Sequence, residues 1–176
     1  MGVGAAAMIP LVSPEVAEAA QRAVAGGKPA ILKFFTVAQH RTVDALTEVL
    51  IPADERSPGA RAARVTDYLD FILSESSADA KHAWKDGIAA LDAASTSEFG
   101  APFADLAGEQ QVAIVTLAAS NEGHPVTPLE TFFDEAKSRT IHGYYTSEIG
   151  IHQELKYKGN QFLPEFVGCN HPEHMS

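Results

Sequence analysis

Apolar residues recur along this chain at spacings of three, four and seven, the repeat of one face of an α-helix. Val37, Val43, Leu46 and Leu50 form one such stripe, and Val65, Leu69, Ile72 and Leu73 form the next. Thr36 followed by Gln39 makes a capping box ahead of the first stripe, and Pro52 ends that helix because it offers no backbone N–H. Pro52 to Ala60, with Asp54, Ser57, Pro58 and Gly59, reads as a loop. Asp79 is expected to cap a helix carrying Trp84, Ile88 and Leu91 on its core side. Ser13-Pro14-Glu15 and Gly26-Gly27 bracket a short N-terminal helix whose charges suit a surface position.

Small and polar residues from Ser95 to Pro102 predict a break. Between Glu109 and Ala119, the side chains of Val112, Ile114, Val115 and Leu117 leave little polar face, which predicts a central helix. Asn121 to Pro128 reads as a turn. Thr127-Pro128-Leu129-Glu130 then combines a capping box with proline at the first helical position, starting a long helix that runs past Lys137. Glycines at 143, 150, 159 and 168 are expected to cut the remainder into short pieces. With no alternating period-two run and no long repeat, the fold class is all-α. The expected organisation is one helical-bundle-like domain over 13–176 with an aromatic, loop-rich C-terminal segment, preceded by a leader remnant or flexible start over 1–12.

Composition sharpens this. Twenty-nine of the 176 residues are alanine, which enters helices without losing side-chain entropy. Thirteen Lys plus Arg against 23 Asp plus Glu give a net charge of −10, the wrong sign for nucleic acid or an anionic membrane surface. A single cysteine excludes both an intrachain disulfide and a four-thiolate metal site. No window approaches the ~18 uninterrupted apolar residues of a bilayer span. Met1 to Pro10 is small and apolar but lacks the positive start of a secretory signal. Gly2-Val3-Gly4-Ala5-Ala6-Ala7 mimics a dinucleotide-binding turn, yet no strand precedes it, and that motif works only between a strand and a helix.

The densest set of potential ligands is Cys169, His171, Glu173 and His174. A thiolate with two imidazoles suits zinc or copper, but six residues of tail lack a second supporting element to fix the geometry. His171-Pro172-Glu173 echoes half of a zinc deaminase signature without its paired cysteines. A Cys169 nucleophile would require His142 or His152 as its base. Asp67 and Asp70 share a helical face and are expected to be solvated. Tyr144 and Tyr145 suit interface or packing roles better than proton donation. No catalytic, metal-binding or cofactor-binding residue is therefore assigned to this chain. Seven of its 14 aromatic residues follow Leu129, on glycine-punctuated sequence of the kind protein interfaces favour.

Two stretches carry a wider pattern. Leu50-Ile-Pro-Ala-Asp54, Ser57-Pro-Gly-Ala60 and Val65-Thr-Asp-Tyr-Leu-Asp70 make the first. Thr131-Phe-Phe133, Gly143-Tyr-Tyr-Thr-Ser147, Ile149-Gly150, Tyr157-Lys-Gly-Asn160 and Gly168-Cys169 make the second. From about Asp44 to His174 the chain resembles the gluconate 2-dehydrogenase subunit 3 family. The resemblance implies a non-catalytic small subunit that binds, stabilises and helps export a large flavoprotein of the glucose–methanol–choline oxidoreductase type. That partner would hold the FAD, oxidise sugars, glycosides or polyols in the periplasm, and pass electrons to a cytochrome c. Members often carry a twin-arginine leader, and no arginine pair precedes Gly2 here. Tyr144, Tyr145, Thr146, Ser147, Tyr157, Asn160 and Cys169 are the expected partner-contacting or segment-ordering residues. Two rival readings stay open at this point. One is a free-standing enzyme or metal protein using His142, His152, Cys169, His171 and His174; the other is a structural helical module sharing only the fold.

Overall fold

The computed structural model of the protein describes residues 12–25 and 31–159. Seven α-helices run in the order α1 (Pro14–Ala25), α2 (Val37–Leu50), α3 (Gly59–Ala62), α4 (Val65–Ser74), α5 (Ala78–Phe99), α6 (Gly108–Ala118) and α7 (Pro128–Tyr145). A 3₁₀ turn spans Phe103–Asp105 and a π-helical turn spans Gly150–Glu154. Among the described residues there is no β-strand, so the all-α expectation holds.

The capping chemistry is as expected at two starts. The Gln39 N–H donates to Thr36 Oγ1 and the Thr36 N–H returns the bond to Gln39 Oε1. Thr127 and Glu130 repeat that exchange at the head of α7, where Pro128 needs no N–H partner. At α5 the cap is Ser77 rather than Asp79, which sits one residue inside the helix, in its first turn. Helix α5 also runs through the predicted break at Ser95. The Ser95 and Thr96 hydroxyls donate to the Leu91 and Asp92 carbonyls, so these polar residues satisfy themselves within the helix, which stops at Gly100 with φ 78°.

Helices α2 and α4 are central. α2 packs against α3, α4, α5, α6 and α7, and α4 packs against α1, α2, α3, α5 and α7. Val65, Leu69, Ile72 and Leu73 are buried as their spacing predicts, each such side chain contributing roughly 1.5–3 kcal/mol of transfer free energy. Val37, at the head of the α2 stripe, is instead 71% exposed. The predicted central helix α6 lies at the edge. Only Ile114 and Ala118 are buried, while Val112 and Leu117 face outward, because α6 has neighbours on one side alone.

The expected solvated face of Asp67 and Asp70 is also corrected. Asp70 is buried at 2% exposure, and its carboxylate accepts the backbone N–H groups of Lys33, Phe34 and Phe35 at 2.7–3.0 Å. These three donors lie ahead of α2 and have no helical partner of their own, so the acid orders the approach to that helix. Asp67 bridges His40 Nε2 at 2.9 Å and Arg64 Nε at 2.7 Å. Arg64 Nη1 reaches on to the Val24 carbonyl at 2.6 Å, so one chain of bonds joins α2, α4 and α1.

Helices α5 and α7 close together at Gly87. Trp84 and Phe132 meet edge to face, 5.4 Å between centroids, and a Cβ at Gly87 would collide with the Phe132 ring. Two opposed effects decide what alanine does there. Helix propensity favours alanine by ~1 kcal/mol, whereas overpacking costs ~1–3 kcal/mol. Gly87→Ala is therefore expected to lower the urea midpoint, with Phe132→Leu in the same chain recovering part of the loss. A raised midpoint in the single variant would show that the two helices are not held this closely.

Protonation of His40 supplies a second test. The hydrogen bond to Asp67 holds the His40 pKa above the usual 6.5 against the opposing effect of burial, with the charges of Asp67, Asp44 and Asp70 adding to it. Burial pushes the Asp67 carboxyl up, but the bonds from His40 and Arg64 outweigh it and leave the group below its usual value. A raised histidine stabilises fully below its unfolded pKa of about 6.5 and loses that contribution as pH rises through the folded value. The lowered Asp67 does the reverse, losing its contribution as pH falls below the usual carboxylate range. The stability difference between wild type and His40→Gln is expected to shrink by ~1 kcal/mol between about pH 6 and pH 8.5 in urea titrations. A difference independent of pH would remove the charged pair from the account.

Candidate functional site

The two motif stretches meet at the C-terminal end of α7. Asp54 organises the 51–60 loop: its carboxylate accepts from the Arg56 and Ser57 N–H groups at 2.7 and 2.8 Å, and its own N–H donates to the Ser57 carbonyl. Those bonds, Arg56 first and then Ser57, hold the Asp54 carboxyl below its usual pKa. Glu48 of α2 accepts from the Ala53 and Arg61 N–H groups and fastens both ends of the loop. The Ala60 N–H closes its neck on the Ile51 carbonyl at 2.8 Å.

Tyr144 joins this loop to α7. Its ring is completely buried and its hydroxyl is hydrogen-bonded to the Ser57 hydroxyl. Burial raises the Tyr144 pKa, with the Glu154 charge adding to the effect, so the phenol stays protonated at neutral pH and available to donate. Helix α7 runs straight through Gly143, which sits against Tyr68; a Cβ there would lie 2.9 Å from that ring. The expectation that this glycine cuts the chain is thus corrected, since it serves a close helix–helix approach.

Beyond α7 the backbone turns sharply. Ser147 Oγ donates to the Tyr144 carbonyl at 2.6 Å and accepts from the Gly150 N–H at 3.0 Å. Gly150 lies so near the Tyr144 carbonyl oxygen that any Cβ would strike it, which makes glycine a steric requirement. The π-helical turn follows, and the Tyr157 N–H donates to the Ile151 carbonyl at 3.0 Å. Helix α1 supports the corner from the other side, where Gln21 Nε2 donates to the Gly143 carbonyl at 3.0 Å and to Thr146 Oγ1 at 2.8 Å.

The sequence-predicted residues therefore divide. Tyr144 and Ser147 are interior, and in this fold they order the segment rather than face outward. Tyr145, Thr146 and Tyr157 are exposed; the Tyr145 ring stands edge to face on Tyr144, 5.2 Å between centroids. Leu155, 57% exposed, extends the apolar surface beside Tyr157 in sequence. Asn160 and Cys169 lie outside the described residues, as do His171, Glu173 and His174. His142 and His152 are exposed, and among the described residues no group of three His, Cys, Asp or Glu side chains is placed to hold a metal. Reading the sequence missed Glu48, Gln21 and the bond between Ser57 and Tyr144. Asp54 three residues before Ser57 signalled the turn, but nothing local could signal partners 13, 122 or 87 residues away.

No curated protein and no solved structure matches the chain. The family model described as gluconate 2-dehydrogenase subunit 3 matches residues 37–164, which takes in both motif stretches as far as Pro164 and more than two thirds of the sequence. The chain belongs to the gluconate 2-dehydrogenase subunit 3 family.

Proposed function

We propose that this protein is a non-catalytic small subunit that binds, stabilises and helps export an FAD-dependent dehydrogenase of the glucose–methanol–choline type. The observation that carries this reading is the use made of the family's motif residues. Ser57, Tyr144, Ser147 and Gly150 are spent on fixing a corner, and that corner presents Tyr145, Leu155 and Tyr157 to solvent. A rigid backbone with exposed aromatic side chains suits recognition, because such side chains cover large area with few rotatable bonds. Tyr145, Thr146 and Tyr157 are the contact residues in this proposal, Tyr144 and Ser147 their supports. Asn160 and Cys169 follow these residues in sequence and lie outside the described residues.

On this reading the FAD and the substrate pocket belong to the large subunit, which oxidises a sugar, glycoside or polyol in the periplasm and delivers electrons to a cytochrome c. Among the described residues no helix is long and apolar enough to cross a membrane, which is compatible with travel as a folded pair. The family description supports membership of a dehydrogenase complex, and the proposal adds the division of labour.

Purified separately and mixed with its flavoprotein, the chain is expected to form a stable complex that Tyr145→Ala weakens roughly 30-fold, or ~2 kcal/mol. Val37→Ser, at a more exposed position at the start of α2, should leave affinity within twofold or so. Equal affinities for wild type and Tyr145→Ala in calorimetry would sink the proposed face. Fractionation adds the export arm: the flavoprotein should reach the periplasm only when this chain is co-expressed, and export in its absence would defeat that part of the reading.

A further inference from the structure

Helix α1 lies against the motif corner but is lightly committed to the body of the protein. Two of its 12 residues, Ala20 and Val24, are buried, against seven of ten in α4, the helix it packs on. Val12, Val16 and Ala17 add partial contact. Two hollows remain along the seam. One, of about 370 Å³, lies between Gln21 and Val24 of α1 and Ser147 and Ile149 of the corner. The other, of about 400 Å³, lies between Ala17 and Gln21 of α1 and His142 and Thr146 beyond them. Close-packed interiors leave few voids larger than a water molecule, so apolar fit is not what holds this seam shut.

Polar ties hold it instead. Gln21 Nε2 spans the seam to the Gly143 carbonyl at 3.0 Å and to Thr146 Oγ1 at 2.8 Å. Thr146 Oγ1 donates to the His142 carbonyl, so Gln21 fills its acceptor side. At the other end of α1, Arg64 Nη1 meets the Val24 carbonyl, a last-turn acceptor that a cation suits. Both groups that Gln21 holds belong to the Gly143-Tyr-Tyr-Thr-Ser147 motif, whereas α1 lies ahead of the residues 37–164 that the family model matches. A helix of 12 residues is marginal in water by itself, so α1 keeps its helical form only while seated.

We propose that α1 is a strap over the motif corner and that the flavoprotein displaces it on binding. The inference rests on the proposed role of Tyr145 and Thr146 as contact residues. A partner that takes the Thr146 hydroxyl and the Gly143 carbonyl must break both Gln21 bonds. The corner is then competent only in the fraction of molecules whose α1 has let go, and the apparent dissociation constant is raised by the inverse of that fraction.

Amide hydrogen exchange of the full chain, followed residue by residue by NMR, tests the strap without the partner. The amides from Ala20 to Val24 should exchange at least roughly a hundredfold faster than those from Leu69 to Leu73, through an opening that leaves α4 protected. Gln21→Ala removes both bonds and should speed α1 exchange roughly fivefold with no change in α4. The same substitution should tighten the complex with the flavoprotein in calorimetry by that same factor, because both readouts follow the released fraction. Adding the flavoprotein should abolish the remaining protection of α1. Exchange of α1 and α4 at one common rate would make α1 part of the cooperative core and overturn the strap. Protection of α1 retained in the complex, or a complex that Gln21→Ala weakens, would overturn the displacement. Failure of the corner reading looks different: Tyr145→Ala then leaves affinity unchanged even where α1 opens, and the strap loses the surface it was proposed to cover.

Discussion

The arrangement depends above all on Tyr144 being buried. Its hydroxyl is tied to Ser57, 87 residues earlier, and its carbonyl is wrapped by Ser147 and Gly150, so backbone and side chain are fixed together. Successive residues on a helix point about 100° apart. With Tyr144 turned inward, Tyr145 falls toward the edge of the packed side and is left 37% exposed, its ring edge to face on Tyr144. The turn that follows is equally constrained, because Gly150 fits only where no Cβ exists. Exposure of the aromatic face is therefore a consequence of interior packing and not a loose feature of the C-terminal third.

Carboxylates do the work of secondary structure in the connections. Asp70 gathers three consecutive N–H groups ahead of α2, Asp54 gathers two in the motif loop, and Asp92 accepts the Phe103 N–H where the chain leaves α5. Glu130 does the same at Val126 and Thr127, and the bond from the Val126 N–H, followed by those from the Asn121 amide and Thr127, holds its pKa below the usual value. An anionic acceptor makes a stronger bond than a carbonyl and suits short turns that have no ladder of their own. Part of the excess of acids over bases is thus consumed internally, which tempers any reading of net charge as surface character.

Membership of the family and the form of the corner together account for the proposed role as a small subunit. At the other end of α7, Phe132 packs edge to face on Trp84, whose indole N–H is buried without an acceptor among the described residues.

Much of this was legible in the sequence, for a local reason. Capping boxes at Thr36 and Thr127, the proline at 128, the stripes of α4 and α5 and the Asp54 turn all act within four residues, so neighbours in sequence suffice to read them. Both motif stretches were visible too, and with them the family. Tertiary structure decided what each element faces. It put the apolar α6 at the edge and Val37 in solvent, drew Asp67 and Asp70 inside, carried α5 past Ser95 and α7 through Gly143, and placed Tyr144, expected either to contact a partner or to order the segment, in the interior of the corner. Apart from the hydroxyl bonds four residues back at Ser95 and Thr96 and the Arg64–Asp67 pair, these outcomes are not properties of a residue and its near neighbours. Burial, ion pairing and steric fit are relations between segments that lie tens of residues apart, and they exist only once the helices have met.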